Sequence, residues 1–227
     1  MHRVGIGSDA AGKEADFPVC APCTRDEARE WAADAEKDGW SALKAASCYA
    51  FLVKQGADEG SRLSDAKKGR QLAETGIKQL PQSGLAHYLV AYLTGLEAEN
   101  DTLRGLELVP IIEREARIAS QLNASIDYGG PDRMLGELYL RAPVMPVSIG
   151  DVEKGVIHYQ RAFAIAPEYA DNQMGLVETL LEAGDVKKAC THLHELLSNM
   201  PPARSSEATW RKALGLLKRL CTEGDSE

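Results

Sequence analysis

Apolar residues recur along most of this chain with the period of an α-helix. In WSALKAASCYAFLVKQ (40–55), Leu43, Ala46, Ala50 and Val53 share one face. In GLAHYLVAYLTGLEAE (84–99), Leu85, Leu89, Tyr92, Leu93 and Leu96 do the same, and Gly95 inside that run predicts a closely packed neighbour. The segment DEAREWAADAEKD (26–38) consists of good helix formers, with Gly39 suited to a C-cap region. Gly56 and Gly60 bound a loop, Ser64 is a candidate cap for the helix in LSDAKKGRQLAETGIKQL, and Pro81 closes that helix. A further helix is expected over 106–122, starting at Val109 or Pro110 because proline suits a first turn. Asp127-Tyr128-Gly129-Gly130 reads as a turn, and Pro131 as the start of a helix through Leu135, Leu138 and Tyr139. Residues 1–25 read as a flexible segment, 26–221 as a helical domain and 222–227 as an acidic tail.

The segment APVMPVSIG (142–150) interrupts this pattern with two prolines and is unusually apolar for a loop. Val144, Met145, Val147 and Ile149 are expected to dock, either on the body of the protein or on a partner. After it comes an internal repeat. GDVEKGVIHYQRAFAIAP (150–167) aligns with GDVKKACTHLHELLSNMP (184–201). Gly150, Asp151, Val152, Lys154, His158 and Pro167 recur 34 residues later, with Gly155 matched by Ala189 and Tyr159 by Leu193. That period is the signature of tetratricopeptide (TPR) hairpins: a small residue lets two helices approach, and a proline ends the second helix. ADNQMGLVETLLE (170–182) supplies the intervening first helix. SEATWRKALGLLKRLC (206–221) reads as a capping helix, with Trp210, Ala213, Leu214, Leu217 and Leu220 inward and Arg211, Lys212, Lys218 and Arg219 facing water. Degenerate earlier units place Gly69, Ala73 and Gly76, then Ala116 and Ala119, at small-residue positions. The expected fold is all-α: a short α-solenoid of antiparallel TPR-like hairpins, clearest over 131–201, with almost no sheet.

The stretches GGPDRMLGELYLRAP (129–143) and GDVEKGVIHYQRAFAIAPEYADN (150–172) resemble bacterial TPR proteins related to the T-component of TRAP transporters. The resemblance covers roughly 65–200. It implies a helical, periplasmic or lipid-anchored accessory that works beside a transporter's solute-binding component. This sequence shows no lipobox near its start, and none of the family's ligand residues carries over.

Composition sharpens the picture. The 227 residues carry a formal charge of −8, with 44% hydrophobic and 26% charged residues. No basic stripe suggests nucleic acid, and no apolar run is long enough for a membrane span. The absence of a signal-peptide pattern reads as cytoplasmic, or as periplasmic if a targeting segment is missing. Five cysteines give no complete disulfide framework. Cys20 and Cys23 form a CxxC open to a local disulfide, inert thiols, or metal or redox chemistry. Cys48, Cys190 and Cys221 read as small buried hydrophobes.

No cofactor is indicated. GIGSDAAGK (5–13) lacks the Walker spacing and the Ser/Thr after its lysine. His158 and His192 occupy matched repeat positions, which points to one shared structural environment, and HLHE (192–195) lacks the i,i+4 spacing of a helical metal pair. Glu113 and Arg117 have the favourable i,i+4 order for a surface pair. The expected function is therefore a non-catalytic protein-binding scaffold, with self-association open. A small-molecule-binding helical protein and a metal-assisted hydrolase are the alternatives. Partner-facing residues are expected on the first helices of the hairpins: Arg133, Glu137, Asn172, Gln173 and Glu178, with Met145 as an apolar anchor.

Overall fold

The computed structural model describes residues 14, 17–56, 58–101, 103–199 and 207–221. Among them the chain is all-helical, with ten helices and a lone β-bridge between Val144 and Gly150. The chain falls into two compact units that meet at Pro131/Asp132 in sequence.

The first unit contains α1 (Arg25–Ala33), α2 (Gly39–Gln55), α3 (Glu59–Gln79), α4 (Gly84–Asn100) and α5 (Gly105–Asn123). Side-chain caps fix most of these starts. Thr24 and Glu27 form a reciprocal capping box at α1. Asp38 accepts from the Trp40 and Ser41 amides, so Gly39 opens α2 rather than closing the helix before it. Asp58 caps α3 through the Ser61 amide at 2.8 Å, and Ser64 is an exposed residue inside that helix, not its cap. Pro110 lies within α5, which begins at Gly105, earlier than expected; one intrahelical bond is lost there.

Each of these helices packs on its neighbour in sequence, with α3 against both α2 and α4. Small residues set the spacing. A Cβ added to Gly69 would lie 2.7 Å from Leu93 and 2.9 Å from Tyr49, and one added to Gly76 would meet Leu43. Ala116 and Ala119 are fully buried on α5. Gly95, in contrast, has nothing within 4 Å of its missing Cβ, so close packing does not explain it.

The cysteines differ from expectation. Cys23 is bonded to Cys48 and Cys190 to Cys221, leaving Cys20 as the free thiol. Cys48, Cys190 and Cys221 are thus cross-linked rather than plain hydrophobes, and the CxxC pair is not joined to itself. The first bond fastens residues 17–24 to α2, with the Cys20 amide donating to Ser47 Oγ at 3.0 Å. This part of the expected flexible segment is therefore held in place. Residues 1–13, 15, 16 and 222–227, with the acidic tail and the GIGSDAAGK stretch, lie outside the described residues.

The second unit contains α6 (Gly130–Arg141, whose first two residues belong to the first unit), α7 (Val152–Ile165), α8 (Ala170–Glu182), α9 (Val186–Asn199) and α10 (Glu207–Leu220). Tyr159, Leu176, Val177, Leu180, Leu193 and Leu196 form its core, and Ala213 joins from α10. The aligned repeat positions play matching roles at their helix starts. Asp151 caps α7 through the Lys154 amide, and Asp185 accepts from Lys188 N at the start of α9. Gly155 lies against Thr179, and Ala189 is fully buried. Gly184, at φ 79°, turns α8 into α9 within three residues (183–185), whereas α6 and α7 are separated by ten (142–151).

That longer connection is the apolar loop. Its base is closed by Gly150 N donating to Pro143 O and Asp151 N donating to Tyr139 O, each at 2.9 Å. Its tip does not dock on the body: Val144, Met145 and Val147 are 66%, 73% and 66% exposed. No helix among the described residues is long and apolar enough to cross a membrane.

Candidate functional site

The second unit carries an open cleft of about 370 Å³. It is lined by Glu137 and Arg141 from α6, Tyr159 from α7, Asp171, Met174, Gly175 and Glu178 from α8, and Ala208, Thr209 and Lys212 from α10. On each of α6, α8 and α10 the lining residues recur three or four apart, so each helix presents one stripe to the cleft.

The floor is set by two glycines. A Cβ added to Gly136 or Gly175 would fall on the Tyr159 ring, so the ring sits between α6 and α8 where side chains would otherwise meet. The Tyr159 hydroxyl donates to Glu137 Oε2 at 2.8 Å, and Arg141 Nε donates to Glu137 Oε1 at 2.9 Å. Arg141 also lies 3.7 Å from Glu178 Oε2, and Glu178 accepts from Lys212 on α10. A chain of alternating charge therefore crosses three helices. Burial pushes the Tyr159 phenol well above its ordinary range, and the Glu137 carboxylate adds to the rise. The hydrogen bond to Glu137 raises the Arg141 guanidinium above its ordinary value. Asp171 is exposed and makes no ion pair among the described residues. Three carboxylates (Glu137, Asp171, Glu178) face two cations (Arg141, Lys212), a formal excess of one negative charge.

Of the residues expected to face a partner, Glu137 and Glu178 line this cleft. Met145 stands on the exposed loop. Arg133 donates to Asn172 Oδ1 at 3.1 Å and stacks over Tyr169, 4.8 Å from the ring centroid. Asn172 and Gln173 do not belong to the surface. Both are buried, with Asn172 Nδ2 donating to the Ala162 and Ala166 carbonyls and Gln173 Nε2 to the Pro167 carbonyl. Their amides satisfy carbonyls at the end of α7, which draws them inward. Sequence reading missed Arg141, which stands four residues after Glu137, and Asp171, at the start of the helix already singled out. It also missed Tyr159, which it treated only as a repeat position, and Lys212, which it treated as solvated.

The aligned histidines have different surroundings, contrary to expectation. His158 is buried, 2.7 Å from Asp132 Oδ1 and stacked on Tyr139. His192 is partly exposed, meets the Phe163 ring edge-on and lies 3.4 Å from Glu195. In the first unit, buried His87 and Glu115 pair at 2.6 Å, with Arg114 on the other carboxylate oxygen. Among the described residues no group of three or more His, Cys, Asp or Glu side chains is arranged to hold a metal.

No protein-family model matches the chain, and no curated protein matches it.

Proposed function

We propose that this chain is a non-catalytic binding module, a short TPR-like α-solenoid whose cleft in the second unit receives a polar segment of a partner protein. The observation that carries the reading is the composition of the cleft: one stripe from each of α6, α8 and α10, with charges that satisfy one another across helices and one carboxylate, Asp171, left over. In a stack of helical hairpins the first helices line one face, and that face is the usual recognition surface. An open cleft suits a protein segment better than an enclosed small solute. The negative excess favours a segment carrying a lysine or arginine. The Val144-Met145-Val147 tip supplies an apolar contact at the α6–α7 turn, beyond Arg141.

The particular setting we propose follows from the resemblance to transporter-associated TPR proteins: an accessory to a solute-uptake system, with the solute-binding component as partner. Two disulfides support work in an oxidising compartment, as that setting requires. The test is affinity capture from the native organism with wild type, Asp171→Lys and Met145→Asp. A protein retained by wild type and lost by folded Asp171→Lys is the expected result. Identical capture by wild type and both variants would reject the cleft and the loop as docking surfaces.

A further inference from the structure

We propose that the Cys190–Cys221 disulfide is a redox switch on the cleft, because it holds α10 in place as the third wall; the proposal rests on the cleft being the docking site. Three of the ten lining residues, Ala208, Thr209 and Lys212, come from α10. The helix is weakly held by its own side chains. Of its fourteen residues only Ala213 is buried, while Leu214, Leu216 and Leu217 are half-covered. The Trp210 Nε1 donor is buried with no acceptor, so docking α10 leaves a polar group unsatisfied. Its charged link to the cleft, Lys212 to Glu178, joins side chains that are 56% and 25% exposed, and such pairs hold little.

The disulfide supplies what these contacts lack. Cys190 is fully buried on α9, and Cys221 follows the last turn of α10. Cys221 is half-buried where Cys190 is fully buried, so attack is directed at Cys221 as the more accessible of the two. A dithiol reductant's thiolate attacks the Cys221 sulfur, and Cys190 leaves as a thiolate and takes a proton. The reductant's second thiol then displaces Cys221 as a thiol, leaving the reductant as a disulfide. Two electrons and two protons pass to the protein, and α10 is left with its partial burial alone. Release of α10 removes one wall and frees Glu178 from Lys212. The Cys23–Cys48 bond lies in the other unit, neither cysteine is among the residues that line the cleft, and it serves as the internal control.

The experiment is hydrogen exchange by mass spectrometry on the full chain, oxidised and after dithiothreitol, with thiol titration to confirm that both bonds are open. Amides of 207–220 are expected to exchange about tenfold faster or more after reduction, with α7 and α8 keeping their protection. The variant Cys190→Ser/Cys221→Ser should show the fast pattern without reductant, and Cys23→Ser/Cys48→Ser should keep α10 slow until reduced. Unchanged α10 exchange with the bond open overturns the switch. So does equal acceleration across α7–α9, which would make the bond a staple for the whole unit. Partner capture that persists unchanged when α10 is released also overturns it. Failure of the docking reading is seen separately, as equal capture by oxidised wild type and oxidised Asp171→Lys.

Discussion

At the level of single residues, the glycines separate two roles that look alike in sequence. Gly175 lies inside α8 with the Tyr159 ring where its Cβ would be, so Gly175→Ala must displace that ring and should cost about 1–3 kcal/mol by overpacking. Gly95 is also inside a helix but faces open space, so Gly95→Ala should stabilise the protein by about 0.4–1 kcal/mol. Urea melts with an unchanged slope would check both; a stabilising Gly175→Ala would contradict the packing around Tyr159. The aligned histidines give a second contrast. His158→Ala removes a buried hydrogen-bond partner of Asp132 and its stacking on Tyr139, and should cost about 2–3 kcal/mol. His192→Ala loses mainly its edge contact with Phe163 and should cost about 1 kcal/mol. Equal losses would show that the two sites share an environment after all.

Among the helices, much of the fold was legible because caps and periodicity act locally. The 34-residue spacing carried the aspartate caps of α7 and α9, and the seam of α10 followed from its apolar spacing. The errors came from non-local causes. Gly39 looked like a stop because the Asp38 cap behind it was overlooked, and Asn172 and Gln173 looked like surface because nothing in sequence shows which carbonyls they reach. Disulfide partners 25 and 31 residues apart are likewise invisible to periodicity. The caps also carry a pH dependence. Hydrogen bonds from first-turn groups lower the carboxyls of Asp38, Asp58, Asp151 and Asp185 below their ordinary values, Ser41 acting chiefly on Asp38, Ser61 on Asp58, Lys154 on Asp151 and Lys188 on Asp185. A depressed folded pKa means a contribution that is complete above the ordinary carboxyl pKa and lost as pH falls through the folded value. Thermal stability should therefore show no loss from these groups above about pH 5 and decline below about pH 4. The variant Asp151→Asn/Asp185→Asn should decline less steeply over that acid range; a parallel decline would assign the acid loss to other groups.

Across the whole molecule, the two disulfides make a statement about environment that composition alone left open. The formal charge of −8 and the lack, among the described residues, of a helix long and apolar enough to cross a membrane fit either side of one. Cross-links that fasten residues 17–24 to α2 and α10 to α9 form and persist in oxidising compartments. The second closes a loop spanning 31 residues, for which chain-entropy arguments give about 3–4 kcal/mol of stabilisation. In a reducing compartment the unit would forgo that contribution and the cleft would lose a firm wall. The expected outcome is direct: protein taken from its native cells, alkylated before any reduction and denatured in the alkylating agent, should carry label on Cys20 alone. Cys23, Cys48, Cys190 and Cys221 should be labelled only after reduction, and peptide mapping should recover the pairs Cys23–Cys48 and Cys190–Cys221. Label on all five thiols before reduction would place the working protein in a reducing compartment, and with it would go the uptake-accessory setting.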